Sequence, residues 1–216
     1  MNSLIGLLIS VAYIGIVLLI AIKLEHLPRE FSRTFVHIMV SNWWIIATYF
    51  IQDFYLAMSI PLFFIFFNGL NIKYNWIPCI NSKLRYGNMG TVYYALAIAL
   101  LTWLTFSNKE LQVIGGVGIL AMGYGDGFAA ILGQHYGKHE YTIFKGTKSL
   151  EGSIAMFIMT FGVLILYFYY VSTYPGLLVI VSLAFVATLV EAISPFGLDN
   201  IFVPMITSLL YFILLM

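Results

Sequence analysis

Residues Gly123–His139 read GYGDGFAAILGQHYGKH. An acid, Asp126, stands inside an apolar run, is followed by small residues and glycines, and the run closes on a lysine. On a helix, at about 100° per residue, Asp126, Ala129, Gly133 and Gly137 fall on one narrow stripe. Small residues on such a stripe let neighbouring helices approach closely, which accounts for Ala129 and Gly133 but not for Asp126. Counted from Leu111, Asp126 lies roughly 22 Å along the helix. A bare carboxylate at that depth in a bilayer costs on the order of 3 kcal/mol. It therefore requires a wet cavity, a metal or a partner.

The chain around it sets the medium. Of 216 residues, 62% are hydrophobic and only 9% charged, whereas about a quarter are charged in soluble domains. Apolar blocks recur at lengths near the roughly 20 residues that cross a bilayer. They predict an all-α, polytopic integral membrane bundle of seven to eight transmembrane helices, with residues 1–216 forming a single domain. The expected spans are Leu4–Ile22, Thr34–Gln52, Phe54–Ile72, Thr91–Ser107, Leu111–Gly133, Ser153–Val171, Gly176–Pro195 and Ile201–Met216. The last contains Pro204, so a half-helix is an alternative there. The segment Met1–Ile22 lacks a basic n-region and reads as a first span, not a removed signal. A net charge of +1 gives no sign of a nucleic-acid partner, and none is expected. Cys79 is the only cysteine, so no intrachain disulfide can form. Oligomeric state is not legible.

Charge alternates between loops. The first holds Lys23, Arg29 and Arg33, the third Lys73, Lys83 and Arg85, and the fifth Lys138, Lys145 and Lys148, while the even loops hold only Lys109. By the positive-inside rule the odd loops are cytoplasmic and the N-terminus is outside. The 123–152 segment and the seventh loop, with Asp199 and Asn200, then share the cytoplasmic face. Topology alone also explains these basic residues.

After the glycine stripe come Lys138, His139 and Glu140, then Lys145-Gly146-Thr147-Lys148-Ser149-Leu150-Glu151-Gly152 and a new apolar run. Ser149 or Thr147 is placed to cap that helix, and a helix N-terminus with hydroxyls and a lysine suits phosphate. Glu151 in the first turn also suits the helix dipole. An acid for Mg²⁺, glycines for close backbone approach and lysines for phosphate are what phosphoryl transfer needs, because its catalysis is mostly positioning and charge neutralisation. No P-loop pattern occurs.

These residues resemble the signature of the CTP-dependent lipid-alcohol kinases: dolichol kinases, phytol kinases and CTP-dependent diacylglycerol kinases. The family pattern D-x-x-A-x-x-x-G-x-x-x-G followed by K-K-T-x-E-G appears here as Asp126-x-x-Ala129-x-x-x-Gly133-x-x-x-Gly137 and Thr147-Lys148-Ser149-Leu150-Glu151-Gly152. Thr147 replaces the first lysine, and Lys145 is placed to supply the missing charge. Glu30-x-x-Arg33-x-x-x-His37 resembles the family's first cytoplasmic motif, with Thr34 where a lysine often stands. Gly87–Tyr93 resembles the turn before the fourth span, and Glu191-x-x-Ser194-Pro195 with Gly197-x-Asp199-Asn200 the closing motif. The resemblance implies a membrane kinase that uses CTP as co-substrate and Mg²⁺ or another divalent cation. Its acceptor would be the hydroxyl of a membrane lipid alcohol such as phytol, a polyprenol, dolichol or diacylglycerol. It implies Asp126, Glu151, His37 and Arg33 as catalytic, Asp126, Glu151 and Asp199 as metal contacts, and Gly133, Gly137, Lys138, Lys145, Thr147, Lys148 and Ser149 as nucleotide contacts. CDP-lipid synthases share the central signature, but their later K-R-x(4)-K-D-type motif is missing: after Glu151 the only charges are Glu191 and Asp199.

Other polar residues have competing readings. Glu30, Arg33, His37 and Ser41 share one helix face, where Arg33 could snorkel and His37 could be a hydrogen-bonded core residue. Asn68 and Asn71 serve substrate or interhelical hydrogen bonds equally well. Glu191 is placed to pair with Arg33 or His37, and Asp199-Asn200 could be a turn and cap. Trp43 and Trp44 suit lipid contact or packing, and Tyr167, Tyr169, Tyr170 and Tyr174 an interfacial belt. A small ion-coupled transporter built on Asp126, Glu191 and His37 is the reading from another class; it needs access from both faces and is favoured by inverted repeats, which the sequence lacks.

Overall fold

The computed structural model describes residues 3–81, 89–144 and 146–215. Lys83, Arg85, Gly87, Asn88 and Lys145 lie outside the described residues. Among the described residues the chain forms eight long helices: α1 (Ser3–Lys23), α2 (Arg29–Phe50), α3 (Phe54–Tyr74), α4 (Met89–Thr105), α5 (Lys109–Tyr136), α6 (Leu150–Tyr170), α7 (Leu177–Ile193) and α8 (Asp199–Leu215). Each expected span falls on one helix. Helices α1, α3, α5 and α6 are long and apolar enough to cross a membrane by length and composition; α4, α7 and α8 are shorter apolar helices. Helix α8 runs unbroken through Pro204 and is 17 residues long, one of the shorter apolar helices. Helix α2 is 22 residues long, and Glu30, Arg33, His37 and Ser41 make one side of it polar.

Local chemistry fixes the helix ends. Asp53 accepts a hydrogen bond from the Leu56 N–H at 2.9 Å and Asn108 accepts one from the Glu110 N–H at 2.9 Å, starting α3 and α5. Such caps satisfy amides that have no intrahelical acceptor.

Helix α5 is the centre of the bundle. Of its apolar window 72% is buried, against 22–39% for the other long apolar helices. Its glycines make that possible. A Cβ at Gly115 would overlap the Trp44 ring, and one at Gly123 would overlap Ser41, so α2 packs directly on the α5 backbone. Helix α8 covers α5 from another side, and α6 packs against its C-terminal half. Trp43 and Trp44 are both buried, so of the two readings for this pair packing is the one realised. Tyr167 is also buried, while Tyr169, Tyr170 and Tyr174 are exposed; the belt excludes Tyr167.

Two local features were not expected. Ala121–Asp126 form a π-turn inside α5, a distortion frequent at functional sites, and Asp126 is its last residue. Between α5 and α6 a small hairpin pairs β1 (Glu140–Ile143) with β2 (Gly146–Ser149), in the register Glu140↔Ser149. Strands of four residues are too short to register in hydropathy.

Candidate active site

The hairpin determines where the lysine goes. Strand β2 ends on Ser149, whose hydroxyl accepts from the Gly152 N–H at 3.1 Å and so caps α6. One residue earlier, Lys148 turns inward. Its ammonium donates to the Glu191 carboxylate and to the Glu191 backbone carbonyl, and to Asp199 Oδ2 at 3.1 Å. Glu191 closes α7 and Asp199 opens α8, so three elements converge on one cation. Burial alone would pull the Lys148 ammonium down, but the charges of Asp199, Glu191 and Asp126 outweigh it and hold the group above the ordinary lysine value. Lys148 is therefore a fixed cation at neutral pH.

Asp126, Glu191 and Asp199 each bring a carboxylate oxygen within 4.8 Å of the others. Against these three charges stands one lysine, which leaves a surplus of two negative charges when all are ionised. Among the described residues Asp126 has no ion pair within 4 Å. Asn200 fixes the far side. Its amide donates to Asp199 Oδ1 at 3.0 Å and to the Gly197 carbonyl at 3.1 Å, which settles its orientation and leaves Asn200 Oδ1 buried without a donor. Glu191 Oε2 is orphaned in the same way. Buried acceptors without donors are costly. Orphaned oxygens beside a surplus of negative charge fit a hard divalent cation such as Mg²⁺, which takes one or two carboxylates and completes its shell with water and phosphate.

These groups face a polar basin of ≈ 940 Å³, at the upper end of the roughly 300–1,000 Å³ typical of small-molecule sites. Ala129 and Gly133 on the small-residue face of α5 line it, with Gly137 just past the helix end, and so do Glu30, Arg33, Thr34 and His37 of α2. Thr147, Lys148 and Ser149 also line it. Gly133 has a packing role as well, because a Cβ there would come within 3.0 Å of the Ser149 hydroxyl. Gly90 opens the Arg33 side: a Cβ at that position would lie 3.1 Å from the Arg33 guanidinium and 3.0 Å from the Asn200 amide. Arg33 keeps a loose pair with Glu30 at 3.8 Å.

The basin thus gathers Asp126, Arg33, His37, Gly133, Gly137, Thr147, Lys148, Ser149, Glu30, Glu191, Asp199 and Asn200. Among the described residues it does not gather Glu151, Lys138, Asn68 or Asn71. Glu151 accepts from His139 Nδ1 at 2.7 Å; as the second residue of α6 it points to the hairpin, and Gly152 takes the face toward α5. The third carboxylate beside Asp126 and Asp199 is Glu191, not Glu151. Lys138 is exposed and does not line the basin. Asn71 binds the Ile77 amide at 2.7 Å and Asn81 at 3.1 Å, closing the turn after α3. Asn68 donates to the Thr91 carbonyl at 3.0 Å. Glu191 pairs with Lys148, not with Arg33 or His37. The signal for Glu191 was present: it is the only ionisable group in the seventh apolar run, and the logic applied to Asp126 covers it equally.

Comparison with known proteins gives the family. The chain is 31% identical to a phytol kinase of Synechocystis sp. over 207 residues, covering 94% of this chain and 88% of that one. It is 31% identical to phytol kinase 1, chloroplastic, of Arabidopsis thaliana over 209 residues, 87% of this chain and 67% of that one. A dolichol kinase of Schizosaccharomyces pombe matches at 36% over 77 residues, 34% of this chain and 14% of that one. No family model matches, and no solved structure matches. On the whole-length similarity to the Synechocystis protein, the chain belongs to the lipid-alcohol kinase family that contains the phytol kinases.

Proposed function

We propose that this protein transfers the γ-phosphoryl group of CTP to the hydroxyl of an isoprenoid alcohol held in the bilayer, phytol being the first candidate, with Mg²⁺ at the carboxylate cluster. The observation that carries the reading is the basin: one lysine and three carboxylates from β2, α5, α7 and α8 converge on a small-residue wall. Relatives named phytol kinase and dolichol kinase support the isoprenoid acceptor. CTP as donor rests on the family signature around Asp126 and Lys148.

In the reaction the alcohol oxygen forms a bond to the γ-phosphorus as the bond to the β,γ-bridging oxygen breaks. CDP leaves and the hydroxyl proton passes to water. A loose transition state asks little of a base, so no side chain is assigned that role. Lys148 and Arg33, which line the basin, would meet the phosphates. Gly133 and Gly137 keep the α5 wall low enough for close approach, and Asp126, Glu191 and Asp199 with Asn200 would hold the cation. Mg²⁺ neutralises phosphate charge when bound. The alternating loop charge supports a basin on the cytoplasmic face and an N-terminus outside.

The test is incubation of purified protein with γ-labelled CTP, Mg²⁺ and phytol. Labelled phytyl phosphate supports the reading. Pyrophosphate release with a CDP-lipid product would replace it by cytidylyl transfer.

A further inference from the structure

A second cavity lies beside the basin, between α1, α2, α3 and α4. Its walls are mostly apolar, formed among others by Ile14, Val40, Trp43, Ile60, Ala95 and Ile98. Arg33 and His37 line both this cleft and the basin, so the two cavities meet at those side chains. His37 is only 4% exposed, and neither ring nitrogen has a hydrogen-bond partner. Its ring is stacked on Tyr94 at 4.8 Å, with 6° between the planes. A neutral imidazole has one donor and one acceptor, and leaving both unmet in a dry wall is costly. The pair is matched by a single hydroxyl, which also donates once and accepts.

We infer that this cleft takes the hydrocarbon chain of the acceptor alcohol, one chain at a time, and that His37 at its inner mouth positions the hydroxyl toward the basin. The inference rests on the kinase reading above and adds the acceptor subsite to it. Depth and width set the specificity. From Arg33 to Trp43 is ten residues of α2, or roughly 15 Å, enough to bury most of a medium-length chain. The volume is ≈ 60 Å³ against ≈ 940 Å³ for the basin, so the cleft is a narrow slot whose side chains must part to admit even one chain. A two-chain lipid such as diacylglycerol cannot enter it with both chains. Single-chain isoprenoid alcohols are therefore the preferred class.

The test uses phytol carrying a diazirine at its chain end, photolysed in the wild-type protein in detergent and mapped by peptide mass spectrometry. Labelling at Trp43, Ile60 or Ile98, suppressed by excess unlabelled phytol, supports the inference. Labelling confined to lipid-facing positions on α6 or α7, or cleft labelling that phytol does not suppress, overturns it; the second result would mean that a bulk lipid chain fills the slot. A kinetic arm uses Ala95→Phe, which narrows the slot. The ratio of kcat/KM for phytol over that for the short alcohol prenol should fall about tenfold or more, the equivalent of losing the burial of about two methylene groups. An unchanged ratio overturns the inference. Cross-linking does not depend on turnover, so cleft labelling in a protein that transfers no phosphate would sink the kinase reading and leave the chain site standing.

Discussion

Replacing Asp126 and replacing Lys148 should move stability in opposite directions, although both should abolish activity. The three carboxylate oxygens lie within 4.8 Å of one another. At an effective dielectric of about 20, two like charges at that separation repel by about 3 kcal/mol. Asp126→Asn removes two such repulsions and loses two attractions, to Lys148 and to the more distant Arg33. Stability should therefore rise by about 1–3 kcal/mol, which for a chain of this size raises Tm by roughly 2–12 °C. Lys148→Met does the reverse. It strips the one cation from Glu191 and Asp199, and breaking a buried pair costs about 3–5 kcal/mol. Since the Lys148 side chain keeps 20% exposure, the lower end is expected, a fall of roughly 6–12 °C. Added Mg²⁺ should recover part of that loss in Lys148→Met and little in Asp126→Asn. The assay is a thermal melt in detergent with and without Mg²⁺, run beside CTP-dependent phosphorylation. An Asp126→Asn protein that melts more than about 4 °C earlier than wild type and still transfers phosphate would refute this account of the cluster.

His37→Phe keeps the stack on Tyr94 but removes both orphaned nitrogens, so the melt should rise while KM for phytol increases about tenfold; a lowered melt would show that His37 has a structural partner. Gly123→Val places a branched side chain against Ser41 and should cost at least about 3 kcal/mol by overpacking, read as loss of folded protein in size-exclusion chromatography. In intact cells Lys109→Cys should react with an impermeant maleimide and Lys138→Cys should not, as the loop charges require; external labelling of Lys138→Cys would invert the topology.

The helices were legible because hydropathy runs at bilayer length carry a strong signal, and every expected span lies on one helix. Asp126 was legible for the same reason, as a charge where charge is expensive. Convergence was harder to read. Lys148 looked like a solvent-facing loop lysine, and only the β1–β2 hairpin, too short for any periodicity, turns it into the carboxylates. Glu151 and Glu191 changed places because a helix start gives each residue a different direction: Gly152 faces α5 and Glu151 does not. Lys138 looked as good a phosphate ligand as Lys148 in one dimension and is exposed in three. The apolar cleft was not legible in one dimension, since its lining is shared among four helices and only their packing brings it together.

The central claim is phosphoryl transfer to an isoprenoid alcohol at the α5–α7–α8 carboxylate cluster. Its most direct test gives wild-type and Asp126→Asn protein γ-labelled CTP, Mg²⁺ and phytol, and follows label in the extracted lipid. Wild type should yield labelled phytyl phosphate that disappears with EDTA, and the folded Asp126→Asn protein should yield none. Labelled product at wild-type rate from Asp126→Asn, or no labelled lipid from folded wild-type protein with CTP, would contradict it.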